Sequence, residues 1–309
     1  MVARATVKLN PVRMNVRRIM AEITAKMVND LRQRTNAPMM DAKRALVDAG
    51  GDMEKAAELL RERGAASADK KLSNEMKEGL VAGRISTDGK LGVLIRLGCQ
   101  TDFVARNDGF TKLLGDLLDL AFENSVATPA DLMALRYPDG SGRNVDAVIK
   151  ELIGGTIKEN IGVTGLVRFS TADGRVEKYV HHNQKVGALI QIDGSADDAV
   201  KVVAGEIAMH VTAGIPTVAL AVDRSGIDPA VLEKEKAAAA DGTEGKPANI
   251  VEKIVAGKLE KYFQDVALVD QPFIKDDKKR IRDLLSEAGK ATKATLTIAK
   301  FARFKIGEA

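Results

Sequence analysis

The feature of this sequence that most constrains its fold is an order of elements that occurs twice. Residues 87–90 read Thr-Asp-Gly-Lys between two apolar runs, and an Asp-Gly pair supplies the positive φ angles of a tight hairpin turn. The apolar run Gly92–Leu97 follows, and the spacing then predicts a helix over 104–123. The run Gly187–Ile192 repeats the pattern 95 residues later, again ahead of a predicted helix. Because short hairpin connections join antiparallel strands, the sequence predicts an α+β fold with two similar antiparallel subdomains.

The second of these units begins with a predicted hairpin of its own. Residues 166–170 and 176–180 have the composition of strands, and the Ala-Asp-Gly sequence at 172–174 is a turn signal between them. The helix that closes this unit is predicted over 197–212. We therefore expect the two strands on either side of this turn to pair with each other.

A three-helix bundle is predicted near the N-terminus, over residues 22–64. Pro38 suits the first turn of the second helix, and Asp52 is placed to cap the third. Met39 falls on the inward face of the second helix, whereas Met40, rotated by about 100°, faces outward. Three helices of this length bury little surface alone, so a domain of this kind is better suited to binding than to catalysis.

Two further segments complete the plan of the chain. Residues 228–262 predict an antiparallel helical hairpin, because the breaker-rich run 241–247 separates two helices with periodic apolar residues. The predicted divisions are, in order, an N-terminal extension over 1–19, the three-helix domain over 20–64, a linker over 65–78, the first core subdomain over 79–165, the second over 166–227, the inserted hairpin over 228–262 and a return to the core over 263–309.

Composition and charge exclude several classes of function. Only 4% of the residues are aromatic, with no Trp, so the core is expected to be aliphatic. The net charge of +4 comes from residues 1–19, which hold five bases and no acid; the rest of the chain has 42 basic and 43 acidic residues. A phosphate-tracking surface needs a basic excess within the fold, so we expect no direct contact with nucleic acid. No apolar run reaches the length of about 18 residues that a membrane span needs.

The N-terminal extension and the single cysteine bear on the compartment. Residues 1–19 lack the apolar region of a secretory signal, and we expect them to be disordered. Their Arg-rich, acid-free composition is that of a mitochondrial or plastid presequence, but a start codon assigned too early is favoured, because the natural start Met20-Ala21-Glu22 follows. Cys99 alone excludes an internal disulfide, which predicts a cytoplasmic or organellar, reducing compartment. We expect Cys99 to be a packing residue at a strand end.

Nothing in the sequence predicts a catalytic centre. There are no paired carboxylates, no nucleophile with a base and no cofactor loop, so we expect neither an enzyme nor a cofactor. His181, His182 and His210 have no Cys or carboxylate set at ligand spacing near them, so no metal site is predicted. His210 falls late in a helix, where a structural role is expected and a charged imidazole would suit the helix dipole.

Several motifs, taken in order, resemble the elongation factor Ts family across nearly all of residues 20–309. The matching segments are Met20–Thr24, Leu31-Arg32, Met39–Leu46, Cys99–Asn107, Ile207–His210, Gly245–Pro247, Glu252–Leu259 and Gln271–Phe273. The resemblance implies a ubiquitin-associated-like N-terminal bundle. It also implies the activity of a guanine-nucleotide exchange factor, which binds elongation factor Tu with GDP and speeds GDP release without breaking a bond.

The resemblance assigns the exchange activity to one loop, formed by Thr101, Asp102, Phe103, Val104 and Ala105. In the family the aromatic ring enters an apolar pocket of the GTPase near its Mg²⁺-binding elements. The residues alone leave a second interpretation open, in which Thr101 or Asp102 caps a helix and Phe103 belongs to the core. The equivalent corner of the second unit, Gly194–Asp197, carries no aromatic residue, which favours a Phe103 that faces a partner.

Other contacts are implied with less detail. The resemblance implies that Arg32, Met39, Met40 and Lys43 contact a helix of the GTPase. It also places a histidine of the second unit at the partner, and His181 and His182 both remain candidates. The helical hairpin would touch the partner or mediate a homodimer. The alternative function is that of an adaptor, which would bind a peptide or a ubiquitin-like partner through the N-terminal bundle.

Overall fold

The computed structural model describes residues 23–35, 37–243 and 245–308. The predictions for residues 1–19 and for the start at Met20–Glu22 lie outside these residues. Contacts divide the chain into two compact units. The first comprises the described residues through Met76 together with Cys99–Val104 and Met133–Gly162, and the second comprises Lys77–Gly98, Ala105–Leu132 and the described residues from Val163 onward.

The first unit contains the predicted bundle of three helices, α1 (Ala25–Thr35), α2 (Met39–Asp48) and α3 (Met53–Asp69). The side chain of Asp52 accepts hydrogen bonds from the backbone N–H groups of Glu54 and Lys55, which confirms it as the cap of α3. The small apolar core consists of Val28, Leu31, Ala42, Ala45, Leu46 and Ala56.

The expectation that Met39 points inward is wrong. Met39 is the first residue of α2, and its side chain is 56% exposed. Although the helical period puts Met39 on the same face as Ala42, the buried cluster of the bundle contains Ala42, Ala45 and Leu46 of α2 and not Met39. Both methionines of this turn are therefore on the surface.

The third helix is longer than the sequence predicts. Instead of ending at Gly64 it continues to Asp69, because it packs against α7 (Val145–Gly154). The two backbones approach closely at their glycines: a Cβ added at Gly154 would lie 2.1 Å from the carbonyl oxygen of Gly64. Only a residue without a side chain fits at position 154.

The second unit is built around two three-stranded sheets. One contains β1 (Glu78–Ile85), β2 (Leu91–Cys99) and β3 (Ile161–Ser170) in that order. The other is antiparallel and contains β4 (Arg175–Val180), β5 (Val186–Asp193) and β8 (Thr297–Lys305). A small two-stranded ribbon is formed by β6 (Pro272–Phe273) and β7 (Asp276–Arg280).

The predicted pairing of residues 166–170 with 176–180 is wrong. Strand β3 adds to β2, and β4 pairs instead with the strand that follows it, β5. A tight turn closes β4 and β5, since the backbone N–H of His181 donates to the Val186 carbonyl at 3.0 Å. The turn at 172–174 carries the chain from one sheet to the other.

Aliphatic residues form the core of this unit, as the composition predicts. The two sheets enclose Val81, Leu94, Phe169, Val176 and Leu189. A larger cluster lies between β5, α8 (Asp198–Ala213) and α11 (Ile281–Thr292), and among its described members Phe273 is the buried aromatic residue. The remaining helices of this unit's first half are α5 (Asp108–Glu123) and α6 (Pro129–Ala134).

The predicted helical hairpin is present as α9 (Pro229–Ala240) and α10 (Ala248–Val266), which pack against each other. The described part of the connection contains Gly242 and Gly245, both with positive φ, as its breaker-rich sequence predicts. Among the residues that the structure describes, no helix combines the length and the apolar character that a membrane crossing requires.

Candidate partner-binding site

Residues 101–105, which we call the exchange loop after the role that the resemblance predicts, contain a short helix of their own, α4 (Asp102–Ala105). The helix predicted over 104–123 is thus interrupted, because Asn107 caps a second helix, α5, by accepting a hydrogen bond from Gly109 N–H at 2.8 Å. A helix of one turn has too few internal hydrogen bonds to be stable alone, so α4 depends on its surroundings for its conformation.

Phe103 is the most exposed large apolar residue in the described chain, with 82% of its surface accessible. The other residues of the loop are turned toward the protein: Ala105 is buried, and Asp102 and Val104 are half-buried. The second interpretation of the sequence, in which Phe103 belongs to the core, is therefore wrong. Burying a phenylalanine side chain is worth about 1.5–3 kcal/mol, and that free energy is still available to a contact with another molecule.

Thr101 is held by the protein itself. Its backbone N–H donates to Glu159 Oε2 at 3.1 Å, and its hydroxyl lies 3.0 Å from both carboxylate oxygens of Glu159. The same hydroxyl lies 3.5 Å from the N–H of Val104, in the position of a long capping bond to α4. Sequence reasoning missed Glu159, which is 58 residues away from Thr101 and belongs to no recognisable motif.

The N-terminal candidates form an exposed surface of the bundle. Met39 and Met40 are 56% and 58% exposed, and Arg32 and Lys43 are exposed as well. Arg32 and Lys43 make no ion pair with any residue that the structure describes, whereas the neighbouring Arg34 pairs with Glu54 at 2.8 Å. Flexible thioethers and cations without an ion pair to a described residue are both well suited to a partner surface that carries acidic groups.

The two histidines of the second unit differ in their environment. His181 is half-buried; its Nδ1 lies 3.3 Å from the hydroxyl of Tyr179, and its backbone closes the turn between β4 and β5. His182 is exposed at the tip of that turn, with its ring centroid 4.3 Å from that of His181. His182 is therefore the more accessible of the two.

His210 is structural, as expected, but it is neutral. It is buried in α8, where its Nε2 lies 2.9 Å from Gln271 Oε1 and the backbone N–H of Ile274 donates to its Nδ1 at 3.3 Å. Because Nδ1 accepts, the ring proton is on Nε2 and is donated to Gln271. Burial lowers the pKa of His210, so the imidazole does not carry the charge that would suit the helix dipole.

The remaining single-residue predictions concern Cys99 and metals. Cys99 is fully buried as the last residue of β2, which confirms the packing role. Within residues 23–35, 37–243 and 245–308, no three His, Cys, Asp or Glu side chains cluster closely enough to hold a metal ion.

Comparison with known proteins gives the family. A family model described as elongation factor TS matches residues 100–308. The elongation factor Ts of Chlorobium limicola is 42% identical over 292 residues, which are 94% of this chain and 100% of that protein. Those of Prosthecochloris aestuarii and Methylococcus capsulatus are 41% and 39% identical, over 93% of this chain and 100% and 92% of their own lengths. The chain therefore belongs to the elongation factor Ts family, a family of translation elongation factors.

Proposed function

We propose that this protein is a guanine-nucleotide exchange factor in translation elongation, which binds elongation factor Tu with GDP and promotes GDP release. Family membership supports the general role. The observation that supports the mechanism is the presentation of Phe103: an aromatic ring 82% exposed on a one-turn helix whose other residues are turned inward. An arrangement of this kind forgoes burial free energy in the free protein and recovers it in a complex.

The proposed mechanism is a wedge that acts on the nucleotide site of the GTPase. Phe103 enters an apolar pocket near the elements that hold Mg²⁺, and Asp102 contacts the adjoining loops. Mg²⁺ bridges the phosphate oxygens and neutralises their charge, so displacing its supports weakens the hold on GDP. No covalent bond is made or broken, and the protein acts by binding the nucleotide-poor GTPase more tightly than the GDP-bound form.

Two further contacts complete the proposal. Met39 and Met40, with Arg32 and Lys43, grip a helix of the GTPase and provide affinity. The turn between β4 and β5 supplies a third contact through His182, the exposed member of the histidine pair. Since the proposed partner is a translation factor, we place the activity in the cytoplasm.

The proposal is tested by the release of a fluorescent GDP analogue from elongation factor Tu of the same organism, measured by stopped flow against excess GDP. We expect micromolar protein to accelerate release. Phe103→Ala should lower the maximal release rate at least tenfold, which is about 1.4 kcal/mol, while the affinity of the complex changes less. Val202→Ala serves as a matched control, since Val202 is also an exposed apolar residue, 64% accessible, outside the proposed surface. No acceleration by the unaltered protein would refute the exchange function; equal rates for Phe103→Ala and the unaltered protein would refute the wedge.

A further inference from the structure

Three consecutive residues after α7, Lys158-Glu159-Asn160, connect the start of the exchange loop to other parts of the first unit, and we call them the clamp. Its central residue makes the contact with the loop. The Glu159 carboxylate accepts from both the backbone N–H and the hydroxyl of Thr101, at 3.0–3.1 Å. Hydrogen bonds to an ionised acceptor are about twice as strong as neutral ones, so this contact restrains the residue that immediately precedes α4.

The clamp is itself anchored in the protein through Asn160. Only 3% of Asn160 is exposed, and its backbone N–H donates to Gln100 Oε1 at 2.7 Å. Its side-chain amide donates to the carbonyl oxygens of Leu72, at 3.1 Å, and Asn74, at 2.7 Å. Glu159 therefore extends from a fixed point of the first unit, and both Gln100 and Thr101 are bound to the clamp.

The other end of the clamp reaches the bundle. Lys158 Nζ lies 3.2 Å from Oδ2 of Asp41, the residue after Met40 in α2. The backbone of Lys158 has φ of +60°, a left-handed conformation that few non-glycine residues adopt and that persists only where the surroundings enforce it. Both partners of this ion pair are accessible, so the contact contributes little energy; its significance is that the clamp touches both proposed contact regions of the first unit.

We propose that Glu159 is a positioning residue for nucleotide exchange: its carboxylate holds Thr101 so that α4 presents Phe103 in the conformation the GTPase receives. The inference rests on the exchange function proposed above and deepens it. A one-turn helix without this restraint would exchange among conformations, and the complex, once formed, would have to order it before each release of nucleotide. Preorganisation of the loop removes that ordering cost.

The first arm of the test measures the loop directly and needs no partner. The chain contains no Trp, so the Phe103→Trp variant carries a single tryptophan, at the loop. We expect Glu159→Ala, made in that background, to lower the fluorescence anisotropy of this tryptophan and shorten its correlation time. The matched control is Asp146→Asn in the same background: Asp146 is a half-buried acid of α7 whose carboxylate pairs with Lys150 Nζ at 2.9 Å, and the anisotropy should not change.

The second arm measures exchange in the chain with its native Phe103. We expect Glu159→Ala to reduce the maximal rate of GDP release at least about tenfold, because the variant loses both hydrogen bonds to Thr101 and the loss of one charged hydrogen bond already corresponds to about tenfold or more. The dissociation constant of the complex should change less than about threefold, because the surface of the bundle is intact. Glu159→Gln keeps one acceptor oxygen and the side-chain volume, so its rate should fall between those of Glu159→Ala and the unaltered protein.

The outcomes separate the positioning role from a merely structural one and from the exchange function. Unchanged anisotropy together with an unchanged rate in Glu159→Ala would overturn the inference. If Glu159→Ala fails to fold, Glu159→Gln decides: a normal rate and normal anisotropy in that variant overturn it. Thr101→Val, combined with Glu159→Ala, gives a double-mutant cycle. The effects of the two substitutions on the rate should not add if both remove the same contact, and additive effects would overturn the pairing of Glu159 with Thr101. If the unaltered protein does not accelerate release, the exchange function fails, while the anisotropy arm still decides whether Glu159 holds the loop.

Discussion

Replacing Phe103 with alanine should leave the free energy of unfolding almost unchanged. A fully buried phenylalanine contributes about 1.5–3 kcal/mol of burial free energy, and only 18% of the Phe103 surface is covered, since 82% is exposed. The substitution therefore removes about 0.5 kcal/mol or less. A residue with this small role in folding is available for selection on another property, which we propose is nucleotide exchange.

The chain provides a matched control seven positions away, in Phe110 of α5. Phe110 is fully buried, and truncating such a residue to alanine costs about 3–5 kcal/mol, because transfer and cavity terms add. Urea unfolding followed by circular dichroism should therefore give a large loss of stability for Phe110→Ala and nearly none for Phe103→Ala. When GDP release is measured at a saturating concentration of folded protein, Phe103→Ala should lose much of the acceleration and Phe110→Ala should lose little.

The result that would refute this reasoning is a loss of more than about 2 kcal/mol in Phe103→Ala, a size that requires a buried side chain. The ring would then pack against the protein in solution, and the proposed wedge would have no free surface to present. If Phe103→Ala had both normal stability and normal exchange, the exposed position of the ring would be confirmed, and its proposed role in exchange would be refuted.

Three further predictions follow from the structure. The pKa of His210 is lowered from its ordinary value of 6.5, so the unfolded chain binds more protons at this residue just below that pH. The contribution of His210 to stability should therefore be full above about pH 6.5 and be lost as the pH decreases, and His210→Gln should reduce that slope in acid-unfolding measurements. Gly154→Ala should destabilise the first unit by about 1–3 kcal/mol, because its Cβ would lie 2.1 Å from the Gly64 carbonyl oxygen; an unchanged thermal midpoint would contradict the close approach. Replacing Met39 and Met40 together by alanine should raise the dissociation constant of the complex with elongation factor Tu about tenfold or more, as expected for apolar anchors, and should change stability little. Titration calorimetry measures the dissociation constant, and urea unfolding measures the stability.

Local elements could be predicted because neighbouring residues decide them. The Asp52 cap, the breaker-rich connection of the helical hairpin and the aliphatic core all follow from the chemistry of residues close in the chain or from composition. The fold class is confirmed for the same reason, since the alternation of strand and helix signals limits the architectures available.

Strand pairing and helix ends could not be predicted, because residues far apart in the chain decide them. The turn signal at 172–174 is correct as a turn, yet β3 pairs with β2 across an insertion and not with β4. Gly64 reads as the end of α3, but packing against Gly154 of α7 continues the helix to Asp69. Met39 follows the inward period of α2, yet it is exposed, and the buried core of the bundle takes only Ala42, Ala45 and Leu46 from that helix.

The exchange loop shows the division most clearly. The sequence by itself determined that a strand ends near Cys99, that a helix starts soon after, and that an aromatic residue stands at the corner. It left open whether Phe103 packs inward or faces outward, because an aromatic residue at the start of a helix is compatible with a buried position and with an exposed one. Only the tertiary structure decided, since the direction of the ring depends on how α4 is oriented. The contact at Thr101 comes from Glu159, which the fold brings to the loop from 58 residues away.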